Sequence, residues 1–441
     1  MRLTRRSALL GAAAALSLPA LRARAEGPAD GGGEILRRWY HFVLRLVRHT
    51  PTYSPPVASR SFAYLGVAAY QAVASGSTSL ISLEGQLNGL KGLPRREQGQ
   101  AYSDAVITHC VMASAVKTFF GNTGPTGQRV MAAAEKKLKG EALAGVAPDV
   151  QDRSLAYGDA LIAAIIAWSE SDGGAVIENL GFPMEYTLTK GDHNWVPTST
   201  IRLQQFPLLP AWGRNRTFAM PEGNSCPLPP PPQYSEDPAS DFHREAMEVY
   251  QTSKTRTPEQ ELIARFWSDD PMLSPTPPGH WIFIANDLLE AEKASLDRSA
   301  EVLMRLGVAL ADSFIGNWYA KYQYDLLRPV TYIKRVIDPK WEPLLITPPF
   351  PEYPSGHSTQ SGAAAAVLTA MFGENFAFTD RTHERDGMKP RSFPSFEAAA
   401  HEAGMSRLYG GIHFRAAIDR GIDQGRCIGA HANALRTRSS T

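Results

Sequence analysis

The sequence has little cysteine and no excess of charge of either sign. Only three of its 441 residues are cysteine, Cys110, Cys226 and Cys427, and they form neither a CxxC pair nor a Cys/His ligand cluster. This pattern excludes a cysteine-based zinc site and a disulfide framework. One disulfide among the three fits an oxidising compartment, but the sequence does not say which pair would form, and buried free thiols fit equally well.

The charge is balanced, with 45 Lys+Arg against 44 Asp+Glu, and 20% of the residues are charged while 43% are hydrophobic. This composition is that of an ordinary globular protein, which excludes disorder, collagen and coiled coil. It also argues against a nucleic-acid partner. Because the chain is longer than one hydrophobic core usually supports, we expect two sub-domains or one large helical array.

Residues 1–25 predict a cleavable export signal. Paired arginines, Arg5 and Arg6, precede the apolar stretch Ser7–Leu21, which ends in Ala-Arg-Ala at 23–25. The pair indicates the twin-arginine type, and an uncleaved membrane anchor is the alternative. Cleavage would leave 40 basic and 44 acidic residues, with no other apolar run long enough to span a membrane. We therefore expect a periplasmic or secreted protein.

Strand-like alternation is nearly absent, and apolar residues recur at three- and four-residue intervals. The predicted helices are Glu34–His49, Ser59–Ala74, Gln100–Phe120, Gln128–Leu143, Val150–Glu170, Asp241–Ser253, Pro258–Ser268, His280–Leu289, Ala294–Lys321, Gly356–Phe372, Ser395–Leu408 and Phe414–Leu435. A proline-rich linker or wrapped loop, 207–239, separates them. We predict an all-α protein of two packed helical bundles, 26–206 and 240–441, with the active site in the C-terminal bundle.

Three short segments of the C-terminal half carry basic and histidine side chains. The first holds Lys321 and Arg328, whose seven-residue spacing places both on one face of a helix. Alone, this spacing is typical of a solvated helix face. The last segment holds Arg407 and His413, on either side of a tight turn at the glycine pair 410–411.

The middle segment is Pro-Ser-Gly-His at 354–357, where an apolar helix begins. The Ser355 hydroxyl, the free amides of the helix start and the close approach allowed by Gly356 suit an anion. His357 is placed to move protons there. An ordinary helix cap without a ligand is the alternative that this segment alone leaves open.

Together the three segments supply three permanent cations, a hydroxyl, backbone donors and two histidines, without a carboxylate at the same positions. Such a set suits a tetrahedral or trigonal-bipyramidal oxyanion with a charge of about −2 or −3. Lys-x6-Arg-Pro, Pro-Ser-Gly-His and Ser-Arg-x5-His, in this order, resemble the signature shared by vanadium-dependent haloperoxidases and the type 2 phosphatidic acid phosphatase superfamily. The resemblance covers roughly Phe266–Gly429 and, for the N-terminal half, extends more weakly to secreted bacterial haloperoxidase-like proteins.

The resemblance implies a role for each motif residue. The residues that would hold the oxygens of vanadate, or of phosphate in the same site, are Lys321, Arg328, Ser355, Gly356 and Arg407. His413 would be the vanadium ligand, or the phosphate-attacking nucleophile of a phosphatase. His357 would be the acid–base residue and Lys321 would polarise bound peroxide. The implied reaction is the oxidation of bromide or chloride by hydrogen peroxide to hypohalous acid, which then acts on a small organic acceptor.

Two aromatic residues and one acid extend the resemblance. Trp318 and Phe350 resemble residues on the halide side of chloroperoxidases, and Asp270 resembles an acid that pairs with Arg407. Phosphatases of the superfamily have Asp four residues after the last histidine, where this chain has Ala417. This difference favours the haloperoxidase and leaves open what holds the second nitrogen of that histidine.

Two other functions stay open at this point. A periplasmic acid phosphatase would act through a phosphohistidine at His413 and would need no vanadium. A non-catalytic oxyanion-binding protein would hold vanadate or phosphate and turn over neither substrate, which the intact pair of His357 and His413 disfavours.

Overall fold

The computed structural model describes residues 31–199 and 205–439, so the predicted export signal lies outside the described residues. Within these ranges the protein is all-α, as predicted, with fourteen α-helices and one short antiparallel hairpin. The helices are α1 (Gly31–Arg48), α2 (Pro55–Ala74), α3 (Asp104–Phe119), α4 (Pro125–Leu143), α5 (Pro148–Glu170), α6 (Gly174–Ile177), α7 (Asp241–Thr255), α8 (Pro258–Phe266), α9 (Thr276–Ala291), α10 (Leu296–Tyr324), α11 (Pro329–Val336), α12 (Gly356–Phe372), α13 (Phe396–Tyr409) and α14 (Arg415–Asn433). The strands are β1 (Phe378–Asp380) and β2 (Arg391–Phe393).

Local signals fix where most helices begin. Proline stands in the first turn of α2, α4, α5, α8 and α11, where its missing N–H costs nothing. Side-chain oxygens cap six helices, α8 among them, by accepting a backbone N–H. These caps are Ser103, Ser240, Thr257, Ser295, Ser355 and Ser395.

The periodicity missed α6, α11 and the hairpin. They have four, eight and three residues per element, too few for a 3.6-residue period to stand out. None of the helices in the described residues is both long and apolar enough to cross a membrane.

Helix α10 is the central element of the fold. It packs against α2 on one side and against α12 and α14 on the other. Its backbone approaches α2 closely, since a Cβ on Gly66 would lie 2.9 Å from Met304 Cα. The largest hydrophobic cluster contains residues from both sides of the proline-rich segment, from Ile35 to Leu435. The division into two bundles therefore stays a prediction.

The proline-rich segment wraps across α10. The buried carboxylate of Asp312 accepts hydrogen bonds from the amides of Phe218, Ala219 and Met220 at 2.6–2.8 Å. Burial raises the pKa of Asp312 to about 6, against these backbone donors. The segment is thus a loop fixed to the helix that carries Lys321.

A disulfide joins this loop to the C-terminal helix. Cys226 is bonded to Cys427 of α14, and Cys110 is a buried free thiol. The bond closes a loop of 201 residues, which restricts the unfolded chain.

Removing this disulfide is expected to destabilise the protein. The double variant Cys226→Ser, Cys427→Ser should lose about 2–4 kcal/mol of unfolding free energy, because its unfolded chain is less restricted. Urea denaturation of oxidised wild type, reduced wild type and the double variant measures this. Coincident transitions for all three would contradict the assigned pair.

Candidate active site

Lys321 is buried near the C-terminal end of α10. Its ammonium group donates to the carbonyls of Pro351, Glu352 and Pro354 at 2.9, 3.0 and 2.6 Å. Burial, followed by the charge of Arg328, lowers the pKa of Lys321 well below its usual value. The lysine thus fixes the loop that leads into α12.

Arg328 lies at the start of α11, not on the helix of Lys321. Helix α10 ends at Tyr324, and Asp325 adopts a left-handed conformation with φ 45°. The helix-face argument from the seven-residue spacing was therefore wrong, although both side chains reach the same site. The Arg328 guanidinium donates to the carbonyls of Phe350 and Ile412, both at 2.9 Å.

Two properties of Arg328 are those of an anion-binding group. Its Nη2 is buried and has no hydrogen-bond partner in the part of the chain that is described. Burial lowers its pKa to about 10, which leaves it charged near neutral pH. A buried guanidinium with an unused donor suits the binding of an oxyanion.

His413 lies between Glu352 and Arg328, in the turn between α13 and α14. Its Nδ1 is 2.8 Å from Glu352 Oε1, which also accepts the Phe414 amide at 2.9 Å. Arg328 can only donate to the other ring nitrogen, so the imidazole proton lies on Nδ1. Nε2 then carries the lone pair and accepts from Arg328 Nη1 at 3.1 Å. Burial, with the charges of Arg328 and Lys321, lowers the pKa of His413 well below its usual value.

Ser355 and Gly356 form the N-terminus of α12. The Ser355 hydroxyl accepts the Ser358 amide at 3.3 Å, as a cap does, and its proton remains to be donated. The Ser355 amide donates to the carbonyl of Ala417 at 3.0 Å, which fixes α12 to α14. A Cβ on Gly356 would meet nothing closer than 3.7 Å, so packing does not require glycine there. The close approach of an anion to its amide stays a prediction.

His357 follows on the first turn of α12 and is the more accessible histidine, with its side chain 17% exposed against 3% for His413. Its Nε2 has no hydrogen-bond partner among the described residues and lies 3.8 Å from Asp269. Burial, then the charge of Arg407, lowers its pKa well below the usual value. It is a neutral base with an unused nitrogen.

Arg407 comes from α13 and is also buried. It donates to the carbonyl of Trp267 at 2.6 Å and to the Ser406 hydroxyl at 2.9 Å. Burial lowers its pKa to about 10, opposed by the charges of Asp269 and then Asp270. No hydrogen bond or ion pair joins Asp270 to Arg407 within the described ranges, so the predicted pairing is one of charge at a distance.

The two aromatic residues lie beside the cations. The rings of Trp318 and Phe350 are 4.9 Å apart. Phe350 lies 5.2 Å from the Lys321 ammonium and 5.1 Å from the Arg328 guanidinium. The structure therefore brings both to the site, and their role on a halide side stays a prediction.

All the motif residues thus converge at the C-terminal end of α10, the N-terminus of α12 and the α13–α14 turn. Three buried cations, an unpartnered guanidinium donor and a histidine lone pair surround one region. This donor set fits a multiply charged oxyanion that also accepts a nitrogen ligand, as vanadate does.

Comparison with known proteins agrees with this geometry. A crystal structure of a bacterial vanadium-dependent iodoperoxidase has 36% sequence identity and a TM-score of 0.83, covering 92% of this chain and 97% of that chain. The chain belongs to the vanadium-dependent haloperoxidase family. Residues 301–439 match the family model of the VCPO second helical-bundle domain.

Haloperoxidases of lower identity share the fold. Holo and apo crystal structures of a bacterial vanadium-dependent chloroperoxidase are 16% identical, with TM-scores of 0.68 and 0.66. They cover 89% and 88% of this chain, and 95% and 94% of their own chains. A search of curated protein sequences returns no match.

The structure shows which group holds the second nitrogen of His413. Glu352 does so, although Ala417 stands where phosphatases have Asp and Asp419 has no contact with His413 among the described hydrogen bonds. Sequence reasoning missed Glu352 because it is 61 residues from its partner. Since an acid does support His413, the lack of Asp at 417 is a weaker argument against a phosphatase than the sequence indicated.

Proposed function

We propose that this protein binds vanadate and uses hydrogen peroxide to oxidise halide to hypohalous acid. One observation carries the proposal: the Nε2 lone pair of a neutral His413 faces a buried guanidinium, with its Nδ1 proton bound by Glu352. That tautomer is the one that can bond a metal through Nε2.

The residues that would hold vanadate are those that the motifs name. His413 would bond vanadium, and Arg328, Arg407, Ser355 and the Gly356 amide would bind its oxygens. The cofactor would supply Lewis acidity for the activation of hydrogen peroxide. Lys321 contributes its charge, and to donate to an oxyanion it would exchange one of its three carbonyl partners.

His357 would handle the proton of hydrogen peroxide. Its neutral state and unpartnered Nε2 suit a base that takes a proton from a bound peroxide and returns it to the product. Nε2 itself is buried, while other atoms of the side chain are partly exposed.

The identity of the halide is a separate part of the proposal. The motifs led to bromide and chloride, and the similarity to an iodoperoxidase at 36% identity adds iodide. The wall made by Trp318 and Phe350 excludes water from one side of the cations, which strengthens their attraction for a small anion. A small organic acceptor would take up the oxidised halogen.

Comparing substrates with and without vanadate tests the proposal. Metal-free protein in phosphate-free buffer should halogenate a dimedone-type acceptor with peroxide and iodide or bromide only after vanadate is added, and chloride is the next test.

A phosphatase is the second candidate, favoured by the support that Glu352 gives to His413. It would hydrolyse p-nitrophenyl phosphate without vanadium, and vanadate would inhibit it.

We also propose that the protein acts outside the cytoplasm. The signal pattern of residues 1–25 and the Cys226–Cys427 disulfide support this location, since disulfides persist in oxidising compartments. Recovery of a processed chain beginning near residue 26 from the periplasmic or medium fraction tests it.

A further inference from the structure

A second cluster of histidine and aspartate lies behind His357, and the proposed reaction assigns no role to its histidines. Asp269 follows α8, His280 lies in α9, and His383 lies between the two strands. All three are buried. His280 Nδ1 is 2.9 Å and His383 Nε2 is 3.6 Å from Asp269 Oδ1, so two imidazole nitrogens face one carboxylate.

The other nitrogen of each histidine is bound by a carboxylate. His280 Nε2 is 2.7 Å from Asp380 Oδ2, and His383 Nδ1 is 3.0 Å from Asp386 Oδ2. Histidines that bind metals nearly always donate their second N–H to such a group, which fixes the ring and its tautomer. Both histidines of the cluster are held in this way.

One nitrogen of the cluster has no partner. His383 Nε2 is buried without a hydrogen bond among the described residues, and its 3.6 Å separation from Asp269 is too long for one. Buried polar atoms are rarely left unpaired. An unpartnered nitrogen aimed at a carboxylate suits a metal ligand.

We propose that Asp269, His280 and His383 bind a divalent transition-metal ion of the zinc type, separate from the vanadate site. Their ligand atoms all lie within 4.8 Å of one another. Bonds of about 2.0–2.1 Å at tetrahedral angles place two ligand atoms roughly 3.3–3.4 Å apart. The His383–Asp269 spacing fits this distance. His280 would release its Nδ1 proton to solvent when the metal binds and would move away from Asp269 by about half an ångström.

The surroundings favour zinc over calcium or magnesium. Two imidazoles and one carboxylate suit zinc and its neighbours in the transition series, whereas calcium and magnesium need mostly oxygen ligands. Aromatic rings exclude water, with Trp267 stacked on His280 at 4.5 Å and Phe266 at 5.2 Å from His383. Asp269 Oδ2 lies 3.8 Å from His357 Nε2, so this metal site forms part of the wall behind the acid–base residue.

Zinc titration of the purified full-length chain tests the proposal. The protein is stripped with a chelator and titrated with zinc chloride in vanadate-free buffer against a chromophoric competitor. We expect one zinc per chain with a Kd below about 1 µM. His383→Gln should weaken binding by about 100-fold or more, and the matched control His401→Gln, at an exposed position on α13, should not.

A second variant and a second measurement keep the proposal testable if the His383→Gln protein misfolds. Asp386→Asn removes the negative charge behind His383, together with its ion pair to Arg48, and should weaken zinc binding by about 10–100-fold. Zinc should raise the Tm of wild type more than that of either variant. No zinc bound at 100 µM, or equal affinity in wild type and both variants, would overturn the proposal, and neither result bears on vanadate or halide oxidation.

Discussion

Replacing His413 by alanine is expected to abolish the retention of vanadate. His413 Nε2 is the one nitrogen that the motifs offer to vanadium, and the substitution also leaves Glu352 and Arg328 buried without this shared partner. Removing one member of a buried polar group also costs about 3–5 kcal/mol of folding stability. Because His413 would bond vanadium directly, its loss should lower vanadate affinity by more than the roughly 10–100-fold that the loss of a supporting group costs.

Equilibrium dialysis followed by vanadium analysis measures this loss. His401→Ala, on the exposed side of α13, is the control and should bind vanadate as wild type does. Far-ultraviolet circular dichroism and urea denaturation show whether the variant is folded. A folded His413→Ala protein that keeps stoichiometric vanadium and full halide oxidation would remove His413 from its assigned role.

The second large effect is expected at Glu352, which no motif named. Glu352→Ala should lower vanadate affinity or halide oxidation by about 10–100-fold, the usual range for a group that orients a metal ligand. Glu352→Gln keeps an oxygen that can accept from His413 Nδ1 and from the Phe414 amide. Its loss should be much smaller, less than about tenfold.

Comparing these two variants distinguishes a role of Glu352 in orienting His413 from a role of its negative charge. If the hydrogen bond to Nδ1 is what matters, Gln rescues most of what Ala loses, in both vanadate affinity and kcat. If the negative charge is what matters, both variants fail alike. An alanine variant with wild-type affinity and rate would show that Glu352 does not position His413.

The sequence predicted the helices well because long amphipathic segments repeat a strong period. The predicted helix boundaries were wrong where the start of a helix depends on a local signal. Helix α2 begins at Pro55 and not at Ser59, because proline can start a helix before the apolar period begins. The break after Tyr324 was missed because it depends on one left-handed residue, Asp325.

The site residues also differ in whether neighbouring sequence positions or distant ones reveal them. Each motif is contiguous, so its residues could be named from the sequence. Partners brought together by the fold could not, as with Glu352 and His413. The sequence also did not show which of two adjacent acids acts more strongly on Arg407. Asp269 has φ 50°, is buried in the protein interior and interacts with Arg407 more strongly than Asp270 does.

Titration of metal-free protein with orthovanadate, with halide oxidation followed at saturating peroxide and iodide, tests the central claim most directly. The account predicts no rate before vanadate, then a rate that rises in proportion to added vanadate and stops rising at one vanadium per chain. Halide oxidation that is present in the metal-free protein, or that stays absent with one vanadium bound per chain, would contradict it.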